Sequence, residues 1–383
     1  MIKVVFFSNQ FASPKGHGIA RYAKSLFRAL KEEDKRVKIY PVSASANGGR
    51  QVTKTTIAST GLEVLPWGRR ITPLLWMFFR FPYLESGISI RPDLVHLVSL
   101  SYKVRSRSPQ VVTIHDIGPL THPQYFTKKD QWLMRQGFDH AIQQSSTIIC
   151  VSKATANAVE KYAISNYQLS IKERLHVIYE GLDPAFFIEP LVEEIDDIYL
   201  VSSLLQAPFV FSVGKISPRK NLTTVIGAFR LLSSEIPELQ LIIVGGDGWD
   251  CDQIQENVNS LGLENRVHIL GYVSDSLLRL LYRKALVFVY PSLFEGFGLP
   301  ILEAMASGCP VITSKTSSLP EVAGDAAILI EPTDVESLKN GILEVYNNAE
   351  QRFKMITKGL ERARLFCWEK TARETIKVYQ SVK

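Results

Sequence analysis

The sequence has no apolar run of the roughly 18–20 residues that a membrane-spanning helix requires. The longest candidate, Leu62–Leu84, is interrupted by Arg69, Arg70 and Arg80. The amino terminus lacks the long apolar core and the small-residue cleavage site of a signal peptide, and its pattern predicts a first strand. These absences argue against an integral membrane protein and predict a soluble, cytoplasmic one.

Cysteine is scarce, with four residues in a chain of 383. They lie far apart, at Cys150, Cys251, Cys309 and Cys367, and none forms a C-x-x-C pair. This spacing argues against a disulfide framework and against a structural zinc site, and it favours a reducing compartment.

Charge is unevenly distributed along the chain. Residues 1–190 hold 25 Lys and Arg against 14 Asp and Glu, a net of +11, whereas residues 191–383 hold 19 against 24, a net of −5. A basic half indicates an anionic partner such as a phospholipid surface, a lipid phosphate or nucleic acid. A simply solvated basic surface is the alternative.

The length predicts two domains, because a single core rarely grows past roughly 250–300 residues. In both halves short apolar runs alternate with helical patterns, which is typical of parallel sheets covered on both faces. We therefore predict two doubly wound α/β domains, 1–190 and 191–366, with a connection at 182–208 and a closing helix at about 367–383. Strands are predicted at Val4–Ser8, Leu94–Val98, Val111–His115, Thr147–Val151, Leu175–Tyr179, Phe209–Val213, Leu239–Gly245, Val267–Leu270, Leu286–Tyr290, Pro310–Thr313 and Ala327–Ile330.

The segment Pro291–Val311, PSLFEGFGLPILEAMASGCPV, is the most informative stretch. A strand ends at Tyr290, a glycine-rich loop follows, and a helix begins near Leu299. Two carboxylates eight residues apart, Glu295 and Glu303, can face one cleft. Read singly, each would be a solvated or capping acid; the E-x7-E spacing in this Gly/Pro context favours a site.

The segment Gly214–Asn221, GKISPRKN, also lies between a strand end and a helix. Arg219 supplies a forked donor and Lys220 a point charge, a combination that suits a diphosphate. The alternative is a solvated basic turn, but the position at the end of the domain's first strand favours phosphate binding.

Two weaker signals lie in the first half. Gly16 and Gly18 occur in SPKGHGIARY, where Arg21 breaks the dinucleotide fingerprint, so the loop predicts only a tight turn that a ligand could approach. His115 and Asp116 end a strand in TIHDIGP. By themselves they indicate a histidine that caps its own loop.

Taken together, these motifs resemble those of the retaining nucleotide-sugar glycosyltransferases of family 4, which have the GT-B architecture. The resemblance covers most of the chain, through GHGIARY, HDIGP, VSKAT, ISPRKN, VGGDGW, the E-x7-E segment and SSLPEVAGDAA in that order. The first of these loops, GDGW and SLPEVAGDAA resemble the mannosyltransferase-like branch. The resemblance implies two Rossmann-like domains facing across a cleft, with a C-terminal helical tail that crosses back.

The resemblance also implies a role for each motif. The second domain would bind a sugar nucleotide and the first an acceptor. Arg219 and Lys220 would hold the diphosphate, Glu303 the ribose and Glu295 the sugar hydroxyls, while His115 would approach the sugar from the first domain. The remaining donor-binding positions would be Gly214, Gly296, Phe297, Gly298, Leu299, Gly16 and Gly18.

Members of this family retain anomeric configuration, and front-face attack assisted by the departing phosphate is the implied route. It needs no metal and no other cofactor. The one D-x-D string, Asp250-Cys251-Asp252, is interpreted as acids in the first turn of a helix and not as metal ligands.

GDP-mannose is the donor that the branch resemblance favours; UDP- or dTDP-linked glucose, N-acetylglucosamine or rhamnose are the alternatives. The acceptor is expected to be a growing polysaccharide or a lipid-linked glycan. The basic half and the aromatic stretch Ile71–Tyr83 predict a peripheral contact with the inner membrane face, although this stretch also suits a core helix.

The sequence argues against three rival functions. A phosphorylase would need pyridoxal phosphate and a much larger chain, and an epimerase of the same architecture has a different motif pattern. A nucleic-acid-binding protein would use the basic half, but the sequence has no RNA-recognition signature and no basic–aromatic repeat.

Overall fold

The computed structural model divides into two compact units, Met1–Gly181 with Cys367–Lys383, and Leu182–Phe366. The first boundary therefore lies before residue 190, at Gly181. The structure describes residues 1–12, 18–44, 60–79, 81–100, 103–195, 197–246, 248 and 251–382.

The first unit contains a parallel sheet of seven strands in the order β3-β2-β1-β4-β5-β6-β7. The strands are β1 (Ile2–Phe7), β2 (Val37–Ser43), β3 (Glu63–Val64), β4 (Leu94–Leu97), β5 (Gln110–Ile114), β6 (Thr147–Cys150) and β7 (Leu175–Val177). The helices are α1 (Gly18–Glu33), α2 (Gly68–Leu74), α3 (Gly118–Thr121), α4 (Lys128–Gln144) and α5 (Lys153–Tyr167), with a short π-helical segment at Leu75–Phe79.

The second unit contains a parallel sheet of six strands in the order β10-β9-β8-β11-β12-β13. The strands are β8 (Phe209–Val213), β9 (Gln240–Val244), β10 (Val267–Ile269), β11 (Val287–Tyr290), β12 (Val311–Ser314) and β13 (Ala327–Ile330). The helices are α6 (Leu222–Glu235), α7 (Cys251–Ser260), α8 (Asp275–Lys284), α9 (Leu299–Ala306), α10 (Leu319–Ala323), α11 (Val335–Asn347) and α12 (Ala349–Ala363).

The central strands are buried on both faces, which is why they are continuous apolar runs. All four residues of β4, β6, β11 and β12 are buried. Each sheet has its own core: Val5, Val95 and Val112 belong to that of the first unit, and Val210 and Ile243 to that of the second. Two independent doubly wound cores confirm the α/β class predicted from the sequence.

The last helix, α13 (Trp368–Val382), packs in the first unit against α1. The buried imidazole of His96 on β4 connects α13 to the sheet, because its Nδ1 lies 2.6 Å from the Tyr379 hydroxyl and its Nε2 lies 2.8 Å from Thr113 Oγ1 on β5. Burial lowers the pKa of His96 to about 3. A neutral polar network thus attaches the closing helix to the sheet.

The segment predicted as a connection belongs to the second unit. Pro184–Phe187 forms a short 3-10 turn, and the ring of Phe186 lies 6.0 Å from that of Tyr282. Ser307 Oγ donates to the Phe186 carbonyl at 3.2 Å. The predicted connection therefore includes a packed turn that begins at Pro184. Among the described helices, none combines the length and the apolar character that crossing a bilayer requires.

Candidate active site

The second sheet reverses its direction of growth between β8 and β11. From β8 the chain adds β9 and β10 on one side, and from β11 it adds β12 and β13 on the other. In open parallel sheets ligands bind at the carboxyl ends of the strands where this reversal occurs. Gly214 directly follows β8 and Tyr290 ends β11, so the two predicted motifs meet at this point.

Gly214 shapes the path of Lys220 in the loop after β8. Gly214 has φ of +144°, and a Cβ atom there would lie 2.8 Å from Lys220 Cε. Arg219 and Lys220 lie in a 3-10 turn, Pro218–Lys220, that ends at Asn221 in the left-handed conformation. The Asn221 amide donates to the Pro291 carbonyl at 3.1 Å, and so holds this loop against the loop after β11.

Arg219 and Lys220 share one carboxylate, that of Glu295. Arg219 Nη1 lies 2.6 Å from Glu295 Oε2, and Lys220 Nζ lies 2.6 Å from Glu295 Oε1. The side chains of Lys220 and Glu295 are 8% and 9% exposed, whereas that of Arg219 is 28% exposed. Two cations against one anion leave this cluster with a net positive charge.

Tyr290 completes the cluster, although its role was not predicted from the sequence. Lys220 Nζ donates to the Tyr290 hydroxyl and lies 4.4 Å from the centre of the ring. The hydroxyl in turn donates to Glu295 Oε1 at 2.9 Å. Its place as the last residue of a buried strand, just before Pro291, was the signal that could have identified it.

The two cations decide the ionisation of Glu295. Burial by itself would raise the pKa of this carboxyl, but attraction to Arg219 and Lys220 outweighs burial and lowers the pKa to about 2. Burial and the neighbouring Glu295 charge raise the pKa of Tyr290 well above its ordinary value. At neutral pH the tyrosine therefore keeps its proton and remains a hydrogen-bond donor to an ionised carboxylate.

The loop between Glu295 and α9 is held by two serines from the segment that precedes α10. Ser317 Oγ accepts a hydrogen bond from the Glu295 amide at 3.0 Å, and Ser318 Oγ donates to the Phe297 carbonyl at 2.7 Å. Gly298 has φ of +112°, and a Cβ atom there would lie 2.9 Å from Leu319 Cδ2. The sequence motif SSLP thus has a structural role in shaping the predicted donor-binding loop.

Glu303 lies within α9 and is 4% exposed. Its Oε2 accepts a hydrogen bond from the Tyr282 hydroxyl on α8 at 3.1 Å. The structure therefore brings Arg219, Lys220 and Glu295 into one cluster, while Glu303 is held separately by a tyrosine that sequence reasoning did not identify.

His115 follows β5 in the first unit, and both of its ring nitrogens have partners there. Nε2 donates to the Val98 carbonyl at 3.0 Å, and Nδ1 lies 3.0 Å from Glu180 Oε1. The edge-on ring of Tyr22 lies 4.6 Å away. Glu180, which was not predicted from the sequence, is 6% exposed and fixes the orientation of this imidazole.

The N-terminal loop is described only in part. Gly18 is the first residue of α1 and is exposed, whereas Gly16 lies outside the described residues. Of the D-x-D string, Asp252 lies in the first turn of α7, and Asp250 likewise lies outside the described residues.

Each of the two units matches the model of a known protein family. The glycosyltransferase family 4 model matches residues 16–186, and the model described as glycosyl transferases group 1 matches residues 202–362. The chain belongs to the family 4 glycosyltransferases. This membership confirms the resemblance predicted from the sequence, and the enzyme is a glycosyltransferase.

Relatives and solved structures agree with this assignment. The enzyme is 29% identical over 391 residues to O-antigen chain mannosyltransferase B from Escherichia coli, covering 99% of this chain and 100% of the relative. It is 29% identical to O-antigen chain mannosyltransferase RfbU from Salmonella typhimurium over 74% of each chain. The crystal structure of Anabaena HepE in complex with UDP and glucose superimposes with a TM-score of 0.76 at 22% identity, covering all of both chains. That likeness confirms the GT-B fold.

Proposed function

We propose that the glycosyltransferase transfers a mannosyl group from GDP-mannose to a saccharide acceptor, with retention of configuration and without a metal ion. The observation that carries the proposal is the cluster of Arg219, Lys220 and Glu295 at the strand ends, which keeps a net positive charge. The choice of mannose is supported by the O-antigen mannosyltransferases, which are similar over most or all of their length.

In this proposal the diphosphate of the donor competes with Glu295 for the two cations. A diphosphate carries more negative charge than a carboxylate, so it takes the favoured position beside Arg219 and Lys220. Glu295 is then released toward the sugar hydroxyls, and Glu303 accepts the hydrogen bonds of the ribose. Gly214, Gly296, Phe297, Gly298 and Leu299 supply the backbone around the donor.

The chemical step breaks the bond between the anomeric carbon and the diphosphate oxygen. The acceptor oxygen forms its new bond on the same face, and its proton passes to the departing phosphate oxygen. Arg219 and Lys220 stabilise the negative charge that develops on the leaving group, in a site whose donors are already oriented. Tyr290 is a positioning residue that fixes the Lys220 ammonium. His115 and the loop at Gly16 and Gly18 act from the first unit, which holds the acceptor.

The acceptor is a growing polysaccharide or a lipid-linked glycan at the cytoplasmic face of the inner membrane. This part of the proposal is supported by the net charge of +11 on residues 1–190 and by the O-antigen relatives. A basic domain next to an anionic leaflet concentrates the enzyme where a lipid-linked acceptor is found.

The test is thermal stabilisation of the wild type and of Glu303→Gln by a panel of sugar nucleotides. A ligand at 100 times its Kd stabilises the folded state by about 2.7 kcal/mol. GDP and GDP-mannose should raise the Tm of the wild type and raise it less in Glu303→Gln. The control variant Glu361→Gln, on the exposed face of α12, should respond like the wild type.

If UDP or dTDP sugars raised the Tm and GDP-mannose did not, the proposed donor would be wrong, but the proposed sugar transfer would stand. No shift with any sugar nucleotide would overturn the proposed donor site. The anomeric configuration of the product, measured by proton NMR, tests retention, and turnover in excess chelator tests independence from metal.

A further inference from the structure

A patch of large apolar side chains is exposed on the first unit. Phe78, Phe79 and Phe81 are 68%, 72% and 62% exposed, and Ile71 and Leu74 are more than half exposed. They lie within eleven residues of sequence, around the π-helical segment Leu75–Phe79. A cluster of exposed aromatic residues of this kind marks an interaction surface, because isolated exposed apolar residues need no explanation but contiguous ones do.

The segment that carries this patch is fixed to the core of its unit. Trp76, in the same π-helical segment, is 1% exposed, and its Nε1 donates to the Pro82 carbonyl at 2.7 Å. Its ring packs edge-on against Phe7 of β1, with 5.7 Å between the ring centres. The phenylalanines therefore extend from an anchored segment, and their exposure is a feature of the folded unit.

A basic cavity of about 200 Å³ adjoins the same segment. Trp76 lines it on one side, Lys103 and Arg105 contribute cations, and Gln143 and Gln144 contribute amides from α4. Asp139, which also lines it, accepts a hydrogen bond from the Tyr167 hydroxyl. The cavity therefore combines two cations and hydrogen-bond donors with a carboxylate that is already engaged, a lining that suits a phosphate group.

Arginines connect the cavity with the aromatic patch. Arg105, which lines the cavity, also lies over the ring of Tyr83, 6.0 Å from its centre, and the guanidinium of Arg107 lies 4.8 Å from the same ring centre. Arg80 belongs to the same stretch of sequence but lies outside the described residues. Aromatic side chains next to cations are typical of surfaces that bind at the water–lipid interface.

We infer that Phe78, Phe79 and Phe81 and the cavity beside Trp76 together form a docking surface for a bilayer that contains anionic phospholipid. The phenylalanines enter the interfacial region, and Lys103 and Arg105 bind the phosphate of one lipid headgroup. The net charge of +11 on residues 1–190 complements an anionic leaflet. This inference rests on the proposed membrane-face acceptor and specifies the surface that reaches it.

The experiment measures cosedimentation of the full chain with phosphatidylcholine vesicles that contain or lack phosphatidylglycerol. Wild type should bind the anionic vesicles at least about tenfold more tightly, given the contribution of each basic residue near such a surface, and added salt should weaken this preference. Phe78→Ala/Phe79→Ala should lower binding about tenfold or more to both kinds of vesicle. Lys103→Gln/Arg105→Gln should lower only the preference for phosphatidylglycerol.

Two matched controls lie in the second unit. Phe353→Ala/Leu365→Ala removes side chains that are 72% and 56% exposed, and Lys284→Gln/Lys315→Gln removes the same number of charges from half-exposed positions. Both should bind vesicles like the wild type. GDP-mannose should raise the Tm of all four variants equally, which separates a failure of this surface from a failure of the proposed donor site.

Three results would overturn the docking surface. The first is vesicle binding that Phe78→Ala/Phe79→Ala leaves unchanged. The second is a wild-type dimer in light scattering that this variant dissociates, with no vesicle binding, which would make the patch a contact between two copies. The third is a Tm rise in inorganic phosphate that Lys103→Gln/Arg105→Gln abolishes, again without vesicle binding, which would make the cavity a site for free phosphate.

Discussion

The two sheets have the same strand order around their centres but very different polar chemistry. In the first unit the buried central group is His96, which is neutral and bonded to Thr113 and Tyr379. In the second unit it is an ionised cluster, Lys220 with Glu295, at the reversal point of the sheet. The shared topology supplies a crevice in each unit, whereas the side chains at the strand ends decide what that crevice can do.

The difference extends to how each tyrosine is used. Tyr379 attaches a helix to the first sheet through His96, and Tyr290 holds a cation next to a carboxylate in the second. Both tyrosines are buried, and burial raises the pKa of each well above its ordinary value. The first of these pairings is structural, and we propose that the second serves the reaction.

Among the variants that test this difference between the two units, Lys220→Ala should have the largest effect on catalysis. In the proposed reaction, loss of the ammonium removes a preorganised positive charge that lies beside the leaving group, and it should lower kcat/KM about 10²–10³-fold. Initial rates with GDP-mannose measure this. Lys215→Ala removes an exposed lysine from the same loop and should leave the rate unchanged. Equal losses in the two variants would show that the loop charge, and not the position of Lys220, matters.

Tyr290→Phe should lower kcat by about 30-fold, because it removes the hydrogen bonds with Lys220 and Glu295 at a net cost of about 1 kcal/mol each. The KM for the donor should change less than kcat. Tyr379→Phe removes a comparable buried hydroxyl from the first unit and should lower Tm without changing kcat. If both variants affected only Tm, Tyr290 would be structural like its counterpart.

Acid should destabilise the first unit over a higher pH range than the second. The pKa of His96 is lowered by burial from 6.5 to about 3, so between these values the unfolded chain binds a proton that the folded chain does not. The stabilisation is fully present above pH 6.5 and is lost as the pH falls toward 3. Hydrogen exchange resolved by mass spectrometry should show protection in β4 and α13 falling first. His96→Gln should flatten this pH dependence.

The smallest of these effects is expected in the second unit. Its free energy of unfolding should fall only at a lower pH than that of the first unit. Glu295 has its pKa lowered to about 2 although burial opposes this, so its contribution is complete above about pH 4.5 and is lost as the pH falls toward 2. The Tm of the wild type should therefore fall more steeply with acidification than that of Glu295→Gln in this window. Parallel curves for the two proteins would contradict the ionised cluster.

Strand positions could be predicted well where apolar runs are uninterrupted. Strands that are buried on both faces are continuous apolar segments in the sequence, and so they are easy to locate. The predicted segments contain the observed strands Leu94–Leu97, Thr147–Cys150 and Phe209–Val213. β2 was not predicted, because Lys38 and Pro41 interrupt Val37–Ser43. The segment β2 forms a strand because it pairs with β1, and the sequence of β2 alone does not indicate that pairing.

The same limit applies to the candidate site. Spacing and motif context were sufficient to select Arg219, Lys220 and Glu295, which the fold brings together. Tyr290 and Tyr282 were not found, because they lie in stretches whose patterns indicate a strand and a helix, and Glu180 was not found because nothing near it in sequence indicates its contact with His115. The contacts of Tyr290 with Lys220, of Tyr282 with Glu303 and of Glu180 with His115 join residues 70, 21 and 65 positions apart. Local pattern therefore identifies charged groups near glycine-rich loops better than the tyrosines that orient them.

The helix that closes the first unit is synthesised only after the whole second unit. During translation His96 therefore has Thr113 within reach but must wait for Tyr379, which lies 283 residues further along the chain. A ribosome-bound chain would carry a folded second unit before the first has its last helix. The second unit of this enzyme can thus mature ahead of the first, and a late arrest in synthesis would release a protein whose first unit is incomplete.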